Sequence, residues 1–215
     1  MADEPRRARA RTSVDPARQT AYDALRAVDV DDAYLNLVLP RLLGERGVTG
    51  RDAAFATELA AGTARLQGSY DAILDRLATG GVAALQPAVL TAMRLGVHQL
   101  LSMRVPSHAA VGTSVELVRA DVGERPVRMV NAVLRRVGSQ DLGAWLDELA
   151  PARSIDPVGH LVVRYSHPRW IVEEFLHLLG EEGAEQLLAA DNVAPSVTLV
   201  GRPGLAQPQG DGIRP

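Results

Sequence analysis

Apolar residues recur at helical spacing along most of the chain, and short stretches rich in glycine, proline or charge separate the periodic runs. Positions three and four apart share one face of a helix, so each run predicts a helix with one buried face. Between residues 16 and 138 the pattern predicts an all-α bundle of about seven helices joined by short loops. Asp15 followed by Pro16 indicates the start of the first helix, because aspartate caps a helix and proline suits its first turn.

The run from Arg125 to Val137 is the helix around which the rest of the chain is organised. Pro126 suits its first turn, and Gly138 suits its end. Such a helix closes a helical core with its apolar face, while its charged face is either solvated or available to phosphates. The apolar positions are Val127, Val130, Val133, Leu134 and Val137, and the basic positions are Arg125, Arg128, Arg135 and Arg136.

Local signals also predict how neighbouring helices begin and pack. Thr49 and Asp52 resemble a capping box at the start of the third helix. Pro40 is expected to kink or divide the second helix, because proline lacks the amide hydrogen that a helix interior needs. Gly62 lies inside the third helix, where glycine costs about 1 kcal/mol relative to alanine. It therefore predicts a close approach of another helix.

The fifth helix, from Pro87 to Leu101, is apolar nearly all round and is expected to lie at the centre of the bundle. Arg94 and His98 lie four residues apart on it and form a possible site. A hydrogen-bonded histidine of the core is the favoured interpretation, because an isolated histidine on a buried helix is more often structural.

The character of the chain changes after Gly138. Short helices are predicted up to Tyr165, followed by further helical segments that Gly180 separates, and by one strand, Ser196–Val200. A lone strand needs partners, so the natural protein is expected to continue past Pro215. The predicted divisions are a disordered Arg-rich arm (1–15), the bundle (16–138), linker helices (139–165), a second region (166–200) and a disordered tail (201–215).

Composition narrows the class of protein. Hydrophobic residues make up 47% of the chain and aromatic residues only 4%, which favours a core of leucine, valine and alanine between helices. The chain has no cysteine, so it has no disulfide, no zinc–thiolate site and no thiol nucleophile of its own. No apolar run is long enough to cross a membrane and no secretory signal is recognisable, which favours a cytoplasmic protein.

The net charge of -3 does not by itself indicate nucleic-acid binding, but the choice of basic residue bears on it. All 23 basic residues are arginine, which grips phosphate in a planar fork and stacks on bases. A GC-rich genome would give the same bias. The arm is expected either to fold onto RNA or to remain a solvated tail. Its arginines are Arg6, Arg7, Arg9 and Arg11, and Arg18 follows in the first helical turn.

No catalytic motif is recognisable in the sequence. It has no glycine-rich dinucleotide fingerprint after a strand, no Walker loop and no Gly-x-Ser-x-Gly elbow. Its five histidines do not have the spacing of zinc ligands. The sequence therefore predicts no active site, no cofactor and no metal in this chain.

Several segments together resemble known protein families. Four of them match the NusB-like RNA-binding domain in order and spacing across about residues 16–138. A later region resembles the part before the catalytic domain in bacterial ribosomal RNA (cytosine-C5) methyltransferases of the RsmB (Sun/Fmu) family. The four segments are Glu58–Arg65, Leu90–Leu101, Pro106–Val118 and Val130–Arg135, and the later region comprises Tyr165–Trp170, Gly180 and Asn192–Leu199.

The resemblance implies a role for the chain. Members of the methyltransferase family join a NusB-like domain to an S-adenosylmethionine-dependent domain that has a glycine-rich loop and two cysteines, one of which bonds to cytosine C6. This chain has neither, so it resembles the N-terminal part of such an enzyme. Its expected partners are ribosomal RNA and the downstream methyltransferase domain, and S-adenosylmethionine would be a cofactor of the full-length enzyme only.

The resemblance also implies RNA-binding residues. The arginines of the arm, together with Arg18, map onto an Arg-rich RNA contact of NusB relatives. Arg65 matches a family motif position, and Arg135 and Arg136 are candidate secondary phosphate contacts. Asn131 matches a motif position as well, but a buried role in helix packing is favoured for it.

Two aromatic residues have an open interpretation. Tyr165 and Trp170 could stack on a base, although a core position is favoured for the tryptophan because it follows a proline at a helix start.

Two other classes of protein remain open. One is a transcription antitermination factor of the NusB type, which would bind RNA and a ribosomal-protein partner; residues 139–200 argue against it. The other is a helical module that docks on a catalytic domain and touches no RNA.

Overall fold

The computed structural model describes residues 14–194, and regular structure in this part of the chain is entirely helical. The all-α prediction is confirmed. The arginines of the arm (residues 1–13), the predicted strand 196–200 and the tail 201–215 lie outside the described residues. The helices are α1 (Pro16–Asp31), α2 (Leu35–Glu45), α3 (Gly50–Arg65), α4 (Gln67–Leu77), α5 (Pro87–Leu101), α6 (Ser107–Asp121), α7 (Val127–Val137), α8 (Leu142–Leu149), α9 (Pro157–Tyr165) and α10 (Arg169–Asp191), with a 3-10 turn at Val82–Ala84.

Helix α5 is the centre of the bundle. It packs against α1, α3, α4, α6 and α7, and every residue from Thr91 to Gln99 is buried. A helix that is apolar nearly all round has to be covered on all sides to remain in water. The prediction of a central fifth helix is therefore confirmed.

Two glycines let helices approach α5 closely. Gly62 of α3 lies directly against the imidazole of His98, so that a side chain at this position would collide with the ring. Gly96 of α5 faces α6 and α7, and a Cβ atom there would lie 2.7 Å from Leu134 Cδ1 and 2.8 Å from Ser114 Oγ. The close approach predicted from Gly62 is present.

The predicted helix signals have mixed outcomes. The Asp15 side chain accepts hydrogen bonds from the amides of Ala17 and Arg18, at 2.8 and 3.2 Å, as expected for a cap. The capping box at Thr49 is wrong, since Thr49 makes no side-chain bond to α3. The reason is local, because Gly50 has a φ of 58° and turns the chain away from capping geometry. Helix α2 also runs undivided through Pro40.

Helix α8 adds to the core of the bundle. Trp145 is buried there among residues of the main cluster. Its indole N–H donates to the carbonyl oxygen of Val137, at 2.9 Å. The apolar core of the bundle therefore continues past residue 138.

Helices α9 and α10 form a second, smaller core around Leu161, Val172 and Leu188. Helix α10 is interrupted at Gly180, which has a φ of 70° and a ψ of 179°. The predicted break at this glycine is confirmed, because such a conformation is easily adopted only by a residue without a Cβ atom.

The second core is joined to the bundle at the start of α4. The hydroxyl oxygen of Ser166 accepts hydrogen bonds from the amides of Gly68 and Ser69, at 2.8 and 3.3 Å. In return, the hydroxyl of Ser69 donates to the carbonyl oxygen of Val163, at 2.7 Å. Ser166 has a left-handed φ of 59°, so the turn after α9 is shaped to bring its side chain to these two amides.

Candidate nucleic-acid interface

Helix α7 has the two faces that its sequence predicts. Val130, Val133, Leu134 and Val137 are buried in the bundle. The basic residues Arg125, Arg128, Arg135 and Arg136 are exposed. A rise of 1.5 Å per residue places Arg128 and Arg136 about 12 Å apart along the helix axis. We call these four residues the α7 arginine row.

The α7 arginine row has no carboxylate partner within residues 14–194, and the same holds for Arg26, Arg51, Arg65, Arg76 and Arg104, whereas eight other arginines of this part of the chain are paired. Those eight form ion pairs with aspartate or glutamate. A guanidinium that lacks an internal partner keeps all its charge and donors for an external anion. The eight paired residues are Arg18, Arg41, Arg46, Arg94, Arg119, Arg153, Arg164 and Arg169.

Charge is unevenly divided along the chain. Residues 104–138, which include α6 and α7, carry six arginines and three acidic residues. Residues 139–194, which include α8 to α10, carry three arginines and ten acidic residues. A polyanion is therefore attracted to α7 and repelled by the C-terminal helices.

The C-terminal half of α7 borders a cleft of about 450 Å³ that α5 and α6 complete. We call it the α6–α7 cleft. Its walls are mainly apolar, and its rim is polar. The guanidinium Nε of Arg135 donates to the side-chain oxygen of Asn131, at 3.3 Å, which leaves its other donors available. The wall residues include Leu100, Val111, Gly112 and Leu134, and the rim residues are Ser107, His108, Asn131 and Arg135.

The structure places Asn131 and Trp170 in other surroundings than the sequence analysis favoured. Asn131 is half-buried and lines the α6–α7 cleft instead of packing inside the bundle. Trp170 is 66% exposed, so a core position is wrong. It lies in the first turn of α10, and the small second core is filled without it. Tyr165 is half-buried, and its hydroxyl donates to Glu185 at 2.9 Å.

Arg18 is held inside the molecule. Its guanidinium pairs with Asp15 at 2.7 Å and donates from Nε to the Gln99 side-chain oxygen at 2.8 Å. It also lies 4.6 Å from the centre of the Phe55 ring. These contacts join α1 to α3 and α5. An RNA contact by Arg18 stays a prediction, and it would compete with these partners.

Arg65 lies apart from the α6–α7 cleft. It is half-buried at the end of α3 and borders an apolar groove of about 700 Å³ between α2 and α3. Other residues of this groove are Leu35, Leu39, Pro40 and Leu43. The structure therefore places Arg65 and Arg135 on different concave surfaces, and the role of Arg65 stays a prediction.

The Arg94 and His98 pair belongs to the core, as favoured. Arg94 donates from Nε and Nη2 to the two carboxylate oxygens of Asp71, both at 2.7 Å. His98 Nδ1 lies 2.8 Å from the Tyr70 hydroxyl, which in turn lies 2.7 Å from Ser102 Oγ. Burial, helped by the positive charge of Arg65, lowers the pKa of His98 to about 4, so the imidazole is neutral at pH 7.

Sequence reasoning did not single out Ser107, His108 and Gly112. They lie in the Pro106–Val118 segment that resembles the NusB-like domain, which was the available signal. The cleft itself depends on how α6 packs against α7, and no periodicity along one helix shows that.

Residues 14–194 contain no group of three or more potential metal-ligating side chains. In the same part of the chain, none of the helices has the length and apolarity needed to cross a membrane.

The sequence model of the NusB family matches residues 15–139. The chain therefore belongs to the NusB family, and the resemblance of its four segments is confirmed.

Relatives of known name extend the comparison past the bundle. The chain is 46% identical over 197 residues to "Putative methyltransferase Rv1407" of Mycobacterium tuberculosis, a match that covers 91% of this chain and 43% of that protein. It is 35% identical over 184 residues to "Ribosomal RNA small subunit methyltransferase B" of Pseudomonas putida, covering 85% of this chain and 39% of that protein. The chain thus spans about two fifths of the length of these curated relatives.

A solved structure has the same fold. It is titled "Crystal Structure of a Plectonemic RNA Supercoil", and one of its chains is 24% identical to this one, with a TM-score of 0.53. The match covers 57% of this chain and 91% of that chain.

Proposed function

We propose that this chain is the RNA-binding and RNA-positioning N-terminal region of an S-adenosylmethionine-dependent ribosomal RNA cytosine-C5 methyltransferase. The α7 arginine row carries the proposal, because it gathers four exposed guanidinium groups between residues 125 and 136, none of which has a carboxylate partner within residues 14–194. Arginines of this kind neutralise phosphates and release counterions, which makes binding strong at low salt and weak at high salt. The arm residues Arg6, Arg7, Arg9 and Arg11 are proposed to add further phosphate contacts.

The named relatives support a methyltransferase context over an antitermination factor. Their matches cover 85% to 91% of this chain, whereas the NusB family segment ends at residue 139. The similarity therefore includes α8 to α10 as well as the bundle. A relative that bears the name of a ribosomal RNA methyltransferase makes ribosomal RNA the proposed ligand.

The methylation chemistry itself is assigned to the rest of such an enzyme. The chain has no cysteine to attack a cytosine ring. Its sequence has no Gly-x-Gly-x-x-Gly fingerprint after a strand. We therefore propose that S-adenosylmethionine binding and methyl transfer belong to another part of such an enzyme and that this chain contributes by positioning RNA, since holding a substrate in place is itself a large part of catalysis.

A salt titration with the full chain tests the proposal. A hairpin fragment of ribosomal RNA and an unrelated hairpin are each titrated at several salt concentrations with the native chain and with the triple variant Arg128→Gln, Arg135→Gln and Arg136→Gln. Each lost phosphate contact lowers the slope of log K against log salt by about 0.7 to 0.9. We expect the triple variant to lose about two units of slope and most of its low-salt affinity.

The matched control removes the same amount of positive charge elsewhere. Arg41→Gln, Arg153→Gln and Arg169→Gln are replacements of exposed arginines that already have carboxylate partners. We expect this control to keep the native slope. Equal losses of slope and affinity in both triple variants would mean that net charge, and not the α7 arginine row, governs binding. The absence of RNA binding by the native chain at low salt would refute the proposal.

Docking to another protein domain is a second candidate function, and the apolar groove between α2 and α3 favours it. Leu37 of α2 and Tyr34, which directly precedes α2, are 66% and 73% exposed. Binding of the separately produced catalytic half of a full-length relative, retained in high salt and lost in Ala64→Asp, would support docking through this groove, because Ala64 lines the groove and is exposed. Salt-resistant binding that Ala64→Asp leaves unchanged would exclude the groove.

A further inference from the structure

The α6–α7 cleft has dimensions that suit a small planar group. Its volume of about 450 Å³ lies within the range of sites that take small ligands, about 300 to 1,000 Å³. It is too small for a second helix, which with side chains is about 10 to 12 Å across. Its apolar walls come from Leu100, Val111 and Leu134.

The rim of the same cleft supplies polar groups with hydrogen-bonding capacity. The Asn131 oxygen is occupied by Arg135 Nε, so the asparagine presents its NH₂ group as a donor. Arg135 keeps its terminal donors, and His108 is an exposed imidazole beside them. An apolar slot with donors at its mouth matches a nucleobase, which has an apolar face and acceptors on its edge.

The charges beside the cleft indicate that a base bound there would belong to a nucleic-acid strand. Arg135 stands at the mouth of the cleft and Arg136 is the next residue along α7, while Arg128 lies two turns earlier in the α7 arginine row. A base that enters the cleft therefore leaves its own phosphate and those of its neighbours beside guanidinium groups. The groove between α2 and α3 is also lined by one arginine, Arg65, but that residue does not belong to a row like that of α7.

We infer that the α6–α7 cleft receives one unstacked base of a single-stranded RNA segment, while the flanking phosphates bind the α7 arginine row. This inference rests on the proposed RNA-binding function and adds to it the class of RNA that is recognised. Proteins read single-stranded loops by taking splayed-out bases into pockets of this kind, whereas duplex RNA keeps its bases stacked and out of reach.

Gly112 provides a way to close the cleft without disturbing the fold. It lies on α6 in the wall of the cleft, and a Cβ atom there would meet no atom of residues 14–194 within 4 Å. Gly112→Leu therefore puts a side chain into open space and also removes a poor helix former. Gly44→Leu is the matched control, because Gly44 lies in α2, outside the lining of the cleft, and a Cβ atom there also meets nothing within 4 Å.

The experiment measures the affinity of the full chain for a hairpin with a single-stranded loop and for a fully paired duplex of the same stem. Loss of one base contact is worth about 1 to 3 kcal/mol. We therefore expect Gly112→Leu to weaken loop binding about fivefold or more, with duplex binding and thermal stability maintained. Gly44→Leu should bind both RNAs like the native chain.

A second readout reports on the base directly. 2-Aminopurine placed in the loop becomes brighter when it is unstacked, so the native chain should raise its fluorescence and Gly112→Leu should not. If Gly112→Leu binds the loop and brightens it like the native chain, the base-binding inference is overturned while the proposed function stands. If the native chain binds no RNA, both fall together.

Discussion

At the scale of single residues, His98 illustrates how the core uses polar side chains. Its ring lies against Gly62, its Nδ1 atom meets Tyr70, and its Nε2 atom is buried without a hydrogen-bond partner, 3.8 Å from a carboxylate oxygen of Glu58. The nearby positive charge of Arg65 and the burial of the ring both oppose protonation. The imidazole is therefore a neutral part of the core.

This arrangement predicts a pH-dependent stability. In the unfolded chain the imidazole protonates near its ordinary pKa of 6.5, whereas in the folded chain its pKa is about 4. Below pH 6.5 the unfolded state thus binds more protons, so the free energy of unfolding falls by about 3 kcal/mol as the pH drops from 6.5 to 4. Urea unfolding at several pH values measures this loss.

The contribution of His98 is separated from that of other groups by comparison with His98→Gln, which keeps an acceptor for Tyr70. The pH slope of this variant should be shallower than that of the native chain. His108→Gln, which removes an exposed imidazole, is the control for the loss of a histidine as such. A native slope in His98→Gln would show that the acid sensitivity originates elsewhere.

Predictions from sequence were least complete at this scale. The core position of His98 follows from its helix alone, because α5 is apolar nearly all round. The engagement of Arg18 does not, since its partner Gln99 is 81 residues away. The core position predicted for Trp170 was wrong, because a large aromatic residue favours burial but the second core is too small to include it.

At the scale of helices, sequence reasoning was more successful. Proline and aspartate at helix starts and glycine at breaks act through local backbone geometry, which the sequence specifies directly. That is why α1, α5 and the break at Gly180 were predicted. Thr49 shows the limit of such signals, because one glycine with a positive φ directly after a capping residue cancels the motif.

Helix packing gives a prediction in which two glycines respond in opposite ways. Gly62→Ala forces a methyl group against the His98 ring, so it should lower stability by about 1 to 3 kcal/mol. Gly112→Ala meets nothing within 4 Å and should raise stability by up to about 1 kcal/mol. Thermal unfolding of both variants checks the pair. A neutral Gly62→Ala would mean that α3 can shift away from α5 at little cost.

At the scale of the whole molecule, the described chain consists of two cores that meet where α9 packs against α4 and α8, and a small set of hydrogen bonds joins them at this junction. Ser166 accepts from two amides of the α3–α4 junction, and Ser69 donates back to α9. The second core is small and its helices are strongly acidic. Such a unit has little apolar burial of its own and depends on this junction for its order.

Ser166→Ala tests this dependence. The change leaves the amides of Gly68 and Ser69 without their acceptor, at a cost of about 1 kcal/mol, because the exposed Gly68 amide can bond to water instead. Hydrogen exchange should accelerate in α9 and α10 while α5 keeps its protection. Ser139→Ala, which removes an exposed hydroxyl bonded only to Arg136, is the control and should leave exchange unchanged. Equal acceleration throughout the molecule would instead indicate one cooperative unit.

The α7 arginine row has a consequence for regulation. Guanidinium groups stay protonated at every pH that a cell reaches, and they are not substrates for the acetylation that neutralises lysine. The chain has no lysine anywhere among its 23 basic residues. If RNA is bound as we propose, neither acidification nor acetylation can release it by neutralising these arginines. Its release would instead depend on competing polyanions and on the salt concentration.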